Sequence, residues 1–265
     1  MRVAILVQYD GSAYHGWQIQ PGNQTVQGVI EAALAKVFDR QIGTHASGRT
    51  DAGVHALGQV FHFDIESARI PAERQWMLIN RYLPRDIRLL DSQEVDANFH
   101  SRFNAKQREY RYQITRVYDI LRRNTHWFVR HDLDLNILKG LSAEIRGRHD
   151  FSSFCYAGTE TENMICNVNQ ADWHVHSDGS LTLRIAADRF LHHMVRMLVG
   201  SMVEVARGKW GVDNFLTLLA TPDRQNHAVT APATGLALMR VSYPEDLQPL
   251  WQTGKGNIVI PKDVG

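Results

Sequence analysis

The apolar positions of this chain change period along its length, and each change marks an element. Residues 2–9 form a run of branched apolar side chains that stops at Asp10-Gly11-Ser12, the pattern of a strand followed by a turn. Between 25 and 38 the apolar residues Val26, Val29, Ile30, Ala33, Leu34, Val37 and Phe38 step by three and four, which predicts a helix with one buried stripe. Residues 59–65 alternate instead, with Phe61, Phe63 and Ile65 against Val60, His62 and Asp64, as in a half-buried strand. Pro71 opens a second helix expected to run to 83.

The second half repeats this style. A strand is predicted over 108–117, a helix over 136–146, and a hairpin from 171–176 and 181–187 closed by Ser177-Asp178-Gly179-Ser180. Residues 190–207 are apolar almost all round, through Met194, Met197, Leu198, Val199, Met202 and Val203, which predicts a helix deep in a core that stops at Gly208. A last strand is expected over 235–243, followed by an irregular tail from Pro244. Strands mixed with helices, without strict alternation, imply an α+β fold with largely antiparallel sheet. The divide is expected near 100–107, giving domains 1–103 and 104–265.

Composition narrows the class. At 265 residues, 44% hydrophobic and 22% charged, the chain has ordinary globular values, which excludes collagen-like or disordered readings. Its only cysteines, Cys155 and Cys166, form no CxxC pair, so neither a disulfide framework nor a cysteine-based zinc site is expected, and a reducing cytoplasmic setting is. The opening apolar run is too short for a signal segment, and nowhere do eighteen apolar residues run together, so a soluble protein without a membrane span is expected.

Three constellations carry chemistry. The first is Ser47-Gly48-Arg49-Thr50-Asp51-Ala52-Gly53-Val54-His55, a loop ahead of the 59–65 strand. Its glycines allow unusual backbone or close ligand approach, and Asp51 suits a nucleophile or general base; the competing reading is a turn-capping Asp51 neutralised by Arg49. The second is a charge cluster hidden by a net charge of only +1. Residues 101–130 hold Arg102, Lys106, Arg108, Arg111, Arg116, Arg122, Arg123 and Arg130 against Glu109 and Asp119, interleaved with Phe103, Tyr110, Tyr112, Tyr118, Trp127 and Phe128. Cations for phosphates and rings for bases suit looped RNA, whereas a solvated arginine face is the bland alternative. The third is Arg196 inside the apolar helix, which needs an anionic partner unless its stem carries it to the surface; Asp51 is the natural candidate.

Other chemistries lack their signatures. No HExxH occurs, His174 and His176 have no neighbouring third ligand, and His192 and His193 are expected to point in different helical directions, so no metal centre is expected. Asp10-Gly11-Ser12 follows Gln8 where an aspartate-based phosphatase would need a further Asp, so it reads as a turn. P-loop, GxGxxG and GxSxG patterns are absent.

With these residues in view, Gly48-Arg49-Thr50-Asp51-Ala52-Gly53-Val54-His55 resembles the catalytic motif of the TruA family of tRNA pseudouridine synthases. The likeness continues in order through Tyr9-Asp10-Gly11-Ser12, Gly16-Trp17-Gln18, Phe99-His100-Ser101-Arg102-Phe103, Tyr110-Arg111-Tyr112, Phe190-Leu191-His192-His193-Met194-Val195-Arg196 and Gly235-Leu236. It implies a homodimer that isomerises uridine to pseudouridine at positions 38 to 40 of the tRNA anticodon stem-loop, without cofactor or metal. On that resemblance Asp51 is the essential carboxylate and Tyr110 stacks on the target base and suits proton transfer. Arg196 pairs with Asp51, Arg49 enters the stack as the base leaves, and Leu238 is an apolar wall. Arg108 and Arg111 are further candidate substrate contacts. The fold expected is two similar ferredoxin-like half-domains whose mostly antiparallel sheets join around a basic cleft.

Glu162 and Cys166 stand where relatives often carry arginines, and Glu109 where a basic residue can occur, so RNA contact is expected to differ there. Attack at C1′, addition at C6 and proton abstraction all remain open to Asp51. Two rivals come from other classes: a non-catalytic RNA-binding protein, and a Mg²⁺-dependent aspartate phosphotransferase.

Overall fold

Alternating and three-to-four-step patterns become real elements only where partners cover them. The computed structural model describes residues 1–66, 70–225 and 228–247. In chain order its longer elements are β1 (Arg2–Tyr9), α1 (Val26–Phe38), β2 (His45–Ala46), β3 (His55–Asp64), α2 (Ala72–Ile79), β4 (Ile87–Val95) and β5 (Gln107–Thr115). They continue with β6 (Trp127–Phe128), α3 (Leu135–Glu144), β7 (Gly147–Asp150), β8 (Ile165–Val175), β9 (Leu181–Ala187), α4 (Met194–Ala206), α5 (Val212–Ala220) and β10 (Leu236–Ser242). This is an α+β fold with mixed sheet. It divides into two units, Met1–Gln107 together with the segment from Ala237 onward, and Arg108–Leu236.

In the first unit β1 lies between two antiparallel neighbours, with Ile5 opposite Phe61 of β3 on one side and opposite Ser92 of β4 on the other. Val3 to Val7 are all buried, as a strand covered on both faces requires. β10 runs parallel to β3, with Ala237 opposite His55 and Leu238 opposite Ala56. The 235–243 strand, expected with 104–265, is thus hydrogen-bonded into the first unit, because strand pairing joins residues that no local pattern connects.

The helices follow their stripes but end on specific bonds. Thr25 caps α1 by accepting from the Gly28 N–H at 3.3 Å, and Val26, Ile30, Ala33 and Leu34 are its buried face. The second helix, expected to reach 83, stops at Ile79. The Asn80 amide donates to the Leu89 carbonyl at 2.8 Å and accepts from the Leu89 N–H at 2.9 Å, tying the helix end to β4.

β3 departs from its half-buried pattern. Both faces are covered, since Phe99, His100 and Ser101 pack over the side carrying His62. His62 Nδ1 lies 2.9 Å from Ser101 Oγ, and its ring sits 4.8 Å from that of His100 and 5.1 Å from that of His45.

The second unit orders its strands β5, β9, β8, β7, all antiparallel, with β6 parallel to β5. β8 starts at Ile165 and not at 171, because β7 pairs along its first half, with Gly147 opposite Val168. α3 packs on β8 and against α4, and α5 packs on α4. α4 is buried from Met197 through Ala206, including Glu204, whose carboxylate is met by Arg207 at 2.6 Å and Lys209 at 3.5 Å. It begins at Met194 and not at 190, since His193 takes a left-handed φ of 65°. His192 and His193 therefore precede the helix, and their rings lie 4.2 Å apart where divergent helical directions were expected. Among the described residues no helix is long and apolar enough to cross a membrane. The expected irregular tail falls outside the described residues beyond Leu247.

His62 makes the first unit acid-sensitive. Burial above all, then the nearby His100 and Arg2, pushes its pKa down from 6.5 to about 3. The unfolded chain therefore binds a proton that the folded one refuses between these values, so stability at neutral pH is lost as pH falls from 6.5 towards 3. His62→Gln should flatten that part of the curve of denaturant midpoint against pH; an unchanged slope would assign the acid sensitivity elsewhere.

Candidate active site

The loop carrying Asp51 is held from beneath. Asp51 to Val54 form a turn closed by the Val54 N–H donating to the Asp51 carbonyl at 3.1 Å, with Gly53 at φ 78° in the position that requires a left-handed residue. The Thr50 carbonyl accepts from the Trp17 N–H at 3.0 Å, and the Gly53 N–H donates to the Tyr14 carbonyl at 3.2 Å. Gly16 makes this approach possible, because a Cβ there would stand 2.6 Å from the Thr50 oxygen. Gly48, by contrast, has open space at its Cβ, so the sequence-based expectation of a conformational role holds for Gly53 alone.

Side chains complete the support. The buried Tyr9 hydroxyl lies 2.8 Å from Thr50 Oγ1. Ser47 Oγ donates to Gln59 Oε1, and Gln59 Nε2 donates to the Gly48 carbonyl at 2.9 Å. His55 Nδ1 accepts from the Gly11 N–H at 3.1 Å and lies 3.1 Å from an Asp10 carboxylate oxygen, which makes Asp10-Gly11-Ser12 a capped turn, as read from the sequence. Asp51 is half-buried. Arg49 is exposed and forms no ion pair with it among the described residues, so the neutralised-turn reading loses its basis. Leu238, fully buried, is placed by β10 opposite Ala56, just beyond the loop.

The second unit carries Arg108, Tyr110, Arg111 and Arg196. The pleat of β5 separates the first three: Arg108 and Tyr110 share a face with buried Tyr112 and Ile114, while Arg111 is on the opposite face beside Glu109. Tyr110 meets Phe190 edge to face at 5.2 Å, and Arg108 Nη1 donates to the Asp188 carbonyl at 2.8 Å. Arg196 is half-buried on α4, where its Nε donates to the Ala231 carbonyl at 2.9 Å and the Ala231 N–H returns a bond to the Arg196 carbonyl at 3.0 Å. That backbone partner has no signature in the sequence.

The basic stretch is less bare than its charge count. Arg116 pairs with Asp132, and Arg122 meets Asp178 at 2.6 Å and Asp119 at 3.5 Å, so acids from outside 101–130 offset part of it. Glu109 pairs with Arg184 at 3.6 Å. Its aromatic part is displayed: Tyr118, 64% exposed, meets Phe128 edge to face at 5.5 Å beside a cavity of about 330 Å³ also lined by Arg122, Arg123 and His126. Burial, then Arg122 and Arg111, pushes His126 down to about 4, leaving it neutral at physiological pH. Of the other departures noted above, Glu162 is exposed, but Cys166 is buried on β8, its thiol pushed up to about 12 mainly by burial, and has no surface to offer RNA.

Residues 5–104 and 141–244 match the family described as tRNA pseudouridine synthase. The chain is 40% identical over 247 residues to the tRNA pseudouridine synthase A of Bacillus pumilus, covering 92% of this chain and 99% of that protein. To the protein of the same name from Moorella thermoacetica it is 43% identical over 244 residues, covering 90% and 98%. The corresponding figures for that of a Geobacillus species are 41% over 246 residues, 91% and 98%.

The close approach at Gly16 is open to a direct check. Its φ of 83° and the Thr50 carbonyl both oppose a side chain. Gly16→Ala should therefore cost about 1–3 kcal/mol in chemical denaturation. A variant as stable as the parent would mean that the loop is not held by this contact.

Proposed function

We infer that this chain, which belongs to the tRNA pseudouridine synthase family, isomerises uridine to pseudouridine at positions 38 to 40 of the tRNA anticodon stem-loop, with Asp51 as the essential carboxylate. The observation that carries the reading is the supported Asp51–Val54 turn within a chain that matches the family across both units. A turn tied from below at the Thr50 carbonyl and the Gly53 N–H presents one carboxylate in a fixed place, as a reaction at a single ribosyl carbon demands.

The target uracil lies in a stem and must be swung out before its glycosidic bond is reached, at a cost of a few kcal/mol. In this reading Arg49, exposed and unengaged by Asp51, and Tyr110, braced edge-on by Phe190, replace the lost stacking, and Leu238 forms an apolar wall. Arg196 pairs with Asp51 as its counter-charge, while its bonds with Ala231 fix the guanidinium. The C1′–N1 bond breaks, the enclosed uracil turns, and a C1′–C5 bond forms; the C5 proton is lost and N1 gains one, so the product is an isomer and no co-reactant is consumed.

Arg108, on the face of Tyr110, contacts the same stretch of RNA, and Arg111 serves from the opposite face. The exposed rings of Tyr118 and Phe128 suit stacking with unpaired bases. The same reading makes the two units ferredoxin-like half-domains flanking a basic cleft, in a cytoplasmic homodimer.

Asp51→Asn should remove pseudouridine formation in an unmodified anticodon stem-loop by at least a thousandfold while circular dichroism and melting stay near those of the parent. Binding without conversion by the parent chain would support an RNA-binding protein instead. Conversion that persists in EDTA separates this chemistry from a Mg²⁺-dependent phosphotransferase, and its loss would overturn the metal-free mechanism.

A further inference from the structure

Tyr9 touches neither a candidate substrate contact nor the solvent, yet it ends β1 in an irregular way. The register of β1 against β3 shifts between Val7 and Tyr9, and such bulges re-aim a side chain beside functional loops. Here Tyr9 lies beneath the Asp51 loop. Its hydroxyl sits 2.8 Å from Thr50 Oγ1, and the buried Gln59 nearby holds Gly48 through its amide and Ser47 through its carbonyl oxygen. Tyr9, Ser47, Thr50 and Gln59 are all buried, and the Tyr9 ring is fixed by Trp17 at 6.0 Å, which is packed in turn on Phe61 at 5.8 Å. Burial leaves these groups dependent on one another for hydrogen bonds and keeps the phenol protonated, so it remains available as a donor.

We propose that the Tyr9–Thr50 hydroxyl pair is a positioning device for the reaction, setting the place of the adjacent Asp51 without touching substrate. Two independent bonds converge on Thr50. Trp17 fixes its carbonyl and hence the peptide that leads into Asp51, whereas Tyr9 fixes its side chain and hence the place of the Cα from which that peptide departs. The first bond is made by backbone atoms and involves neither the Tyr9 nor the Thr50 side chain. The second is lost with a single oxygen, and a displacement of the reacting carboxylate by about 1 Å is enough to cost on the order of a hundredfold in rate.

This rests on Asp51 acting as described above, and the experiment keeps the two apart. Single-turnover conversion and binding of an unmodified tRNA would be measured for the parent chain, Asp51→Asn, Tyr9→Phe, Thr50→Val, Thr50→Ser and the Tyr9→Phe/Thr50→Val pair, each with its melting temperature. Tyr9→Phe and Thr50→Val should each lower the saturating rate by about ten- to a hundredfold with tRNA affinity unchanged within about threefold. The double variant should lose no more than either alone, because one interaction is broken twice, and Thr50→Ser should regain most of the rate that Thr50→Val loses. A rate for Tyr9→Phe within twofold of the parent, losses that multiply in the double variant, or a parallel fall of rate, affinity and melting temperature would overturn positioning. Absence of conversion by the parent, or its persistence in Asp51→Asn, would instead overturn the reading of Asp51.

Discussion

The hydrogen bond from the Trp17 N–H to the Thr50 carbonyl joins two stretches of chain far apart in sequence, and the neighbourhood of Asp51 is organised around it. A loop that carries a reactive group meets a conflict: exposure serves the chemistry, but exposed backbone moves. The first unit resolves it by laying the segment after β1 under the loop. Trp17 and Tyr14 bond to the loop backbone on either side of Asp51, Gly16 lets the two backbones close, and Tyr9 and Gln59 fill the remaining polar valences. Asp51 is left half-buried and Arg49 exposed, while Tyr9, Ser47, Thr50 and Gln59 around them are buried.

The second unit uses a different device. A guanidinium on an apolar helix cannot be left without partners at the cost of burying charge, and Arg196 is tied to the backbone of Ala231 in both directions. On β5 the alternation of the pleat puts Arg108 and Tyr110 on one face and Arg111 on the other. Arg108 and Arg111, three residues apart on one strand, therefore lie on opposite faces of it. Electrostatics is likewise a matter of pairs: Arg116 and Arg122 spend part of their charge on Asp132 and Asp178, so the aromatic surface of Tyr118 and Phe128 stands out more than the bare charge of the stretch.

Much of the fold was legible because it is written in local periods. The α1 stripe, the β1 run, the β9 half of the hairpin and the all-round apolar α4 appear where their patterns lie. The ends were less so. α2 stops early because Asn80 finds Leu89, β8 starts early because β7 pairs with it, and α4 starts late because His193 turns left-handed. The first two are set by partners outside the window in which a period is read, the third by the backbone of a single residue within it. β4, β7 and α5 went unread, as did the two-residue β2 and β6; β7 has Arg148 and Asp150 in place of an apolar alternation.

For the site, the sequence alone determined the chemical inventory: a carboxylate in a glycine-flanked loop, an arginine in an apolar helix, rings among cations, and the order of motifs that resembles one enzyme family. Those are properties of residue type and spacing. Tertiary structure alone decided which of these groups is braced and by what. The Tyr9 hydroxyl on Thr50, the Ala231 carbonyl on Arg196, the return of β10 to set Leu238 beside the loop strand and the burial of Cys166 all depend on contacts between residues remote along the chain. Such contacts leave no local signature, because hydrogen-bond geometry and burial are properties of where the chain comes back to meet itself.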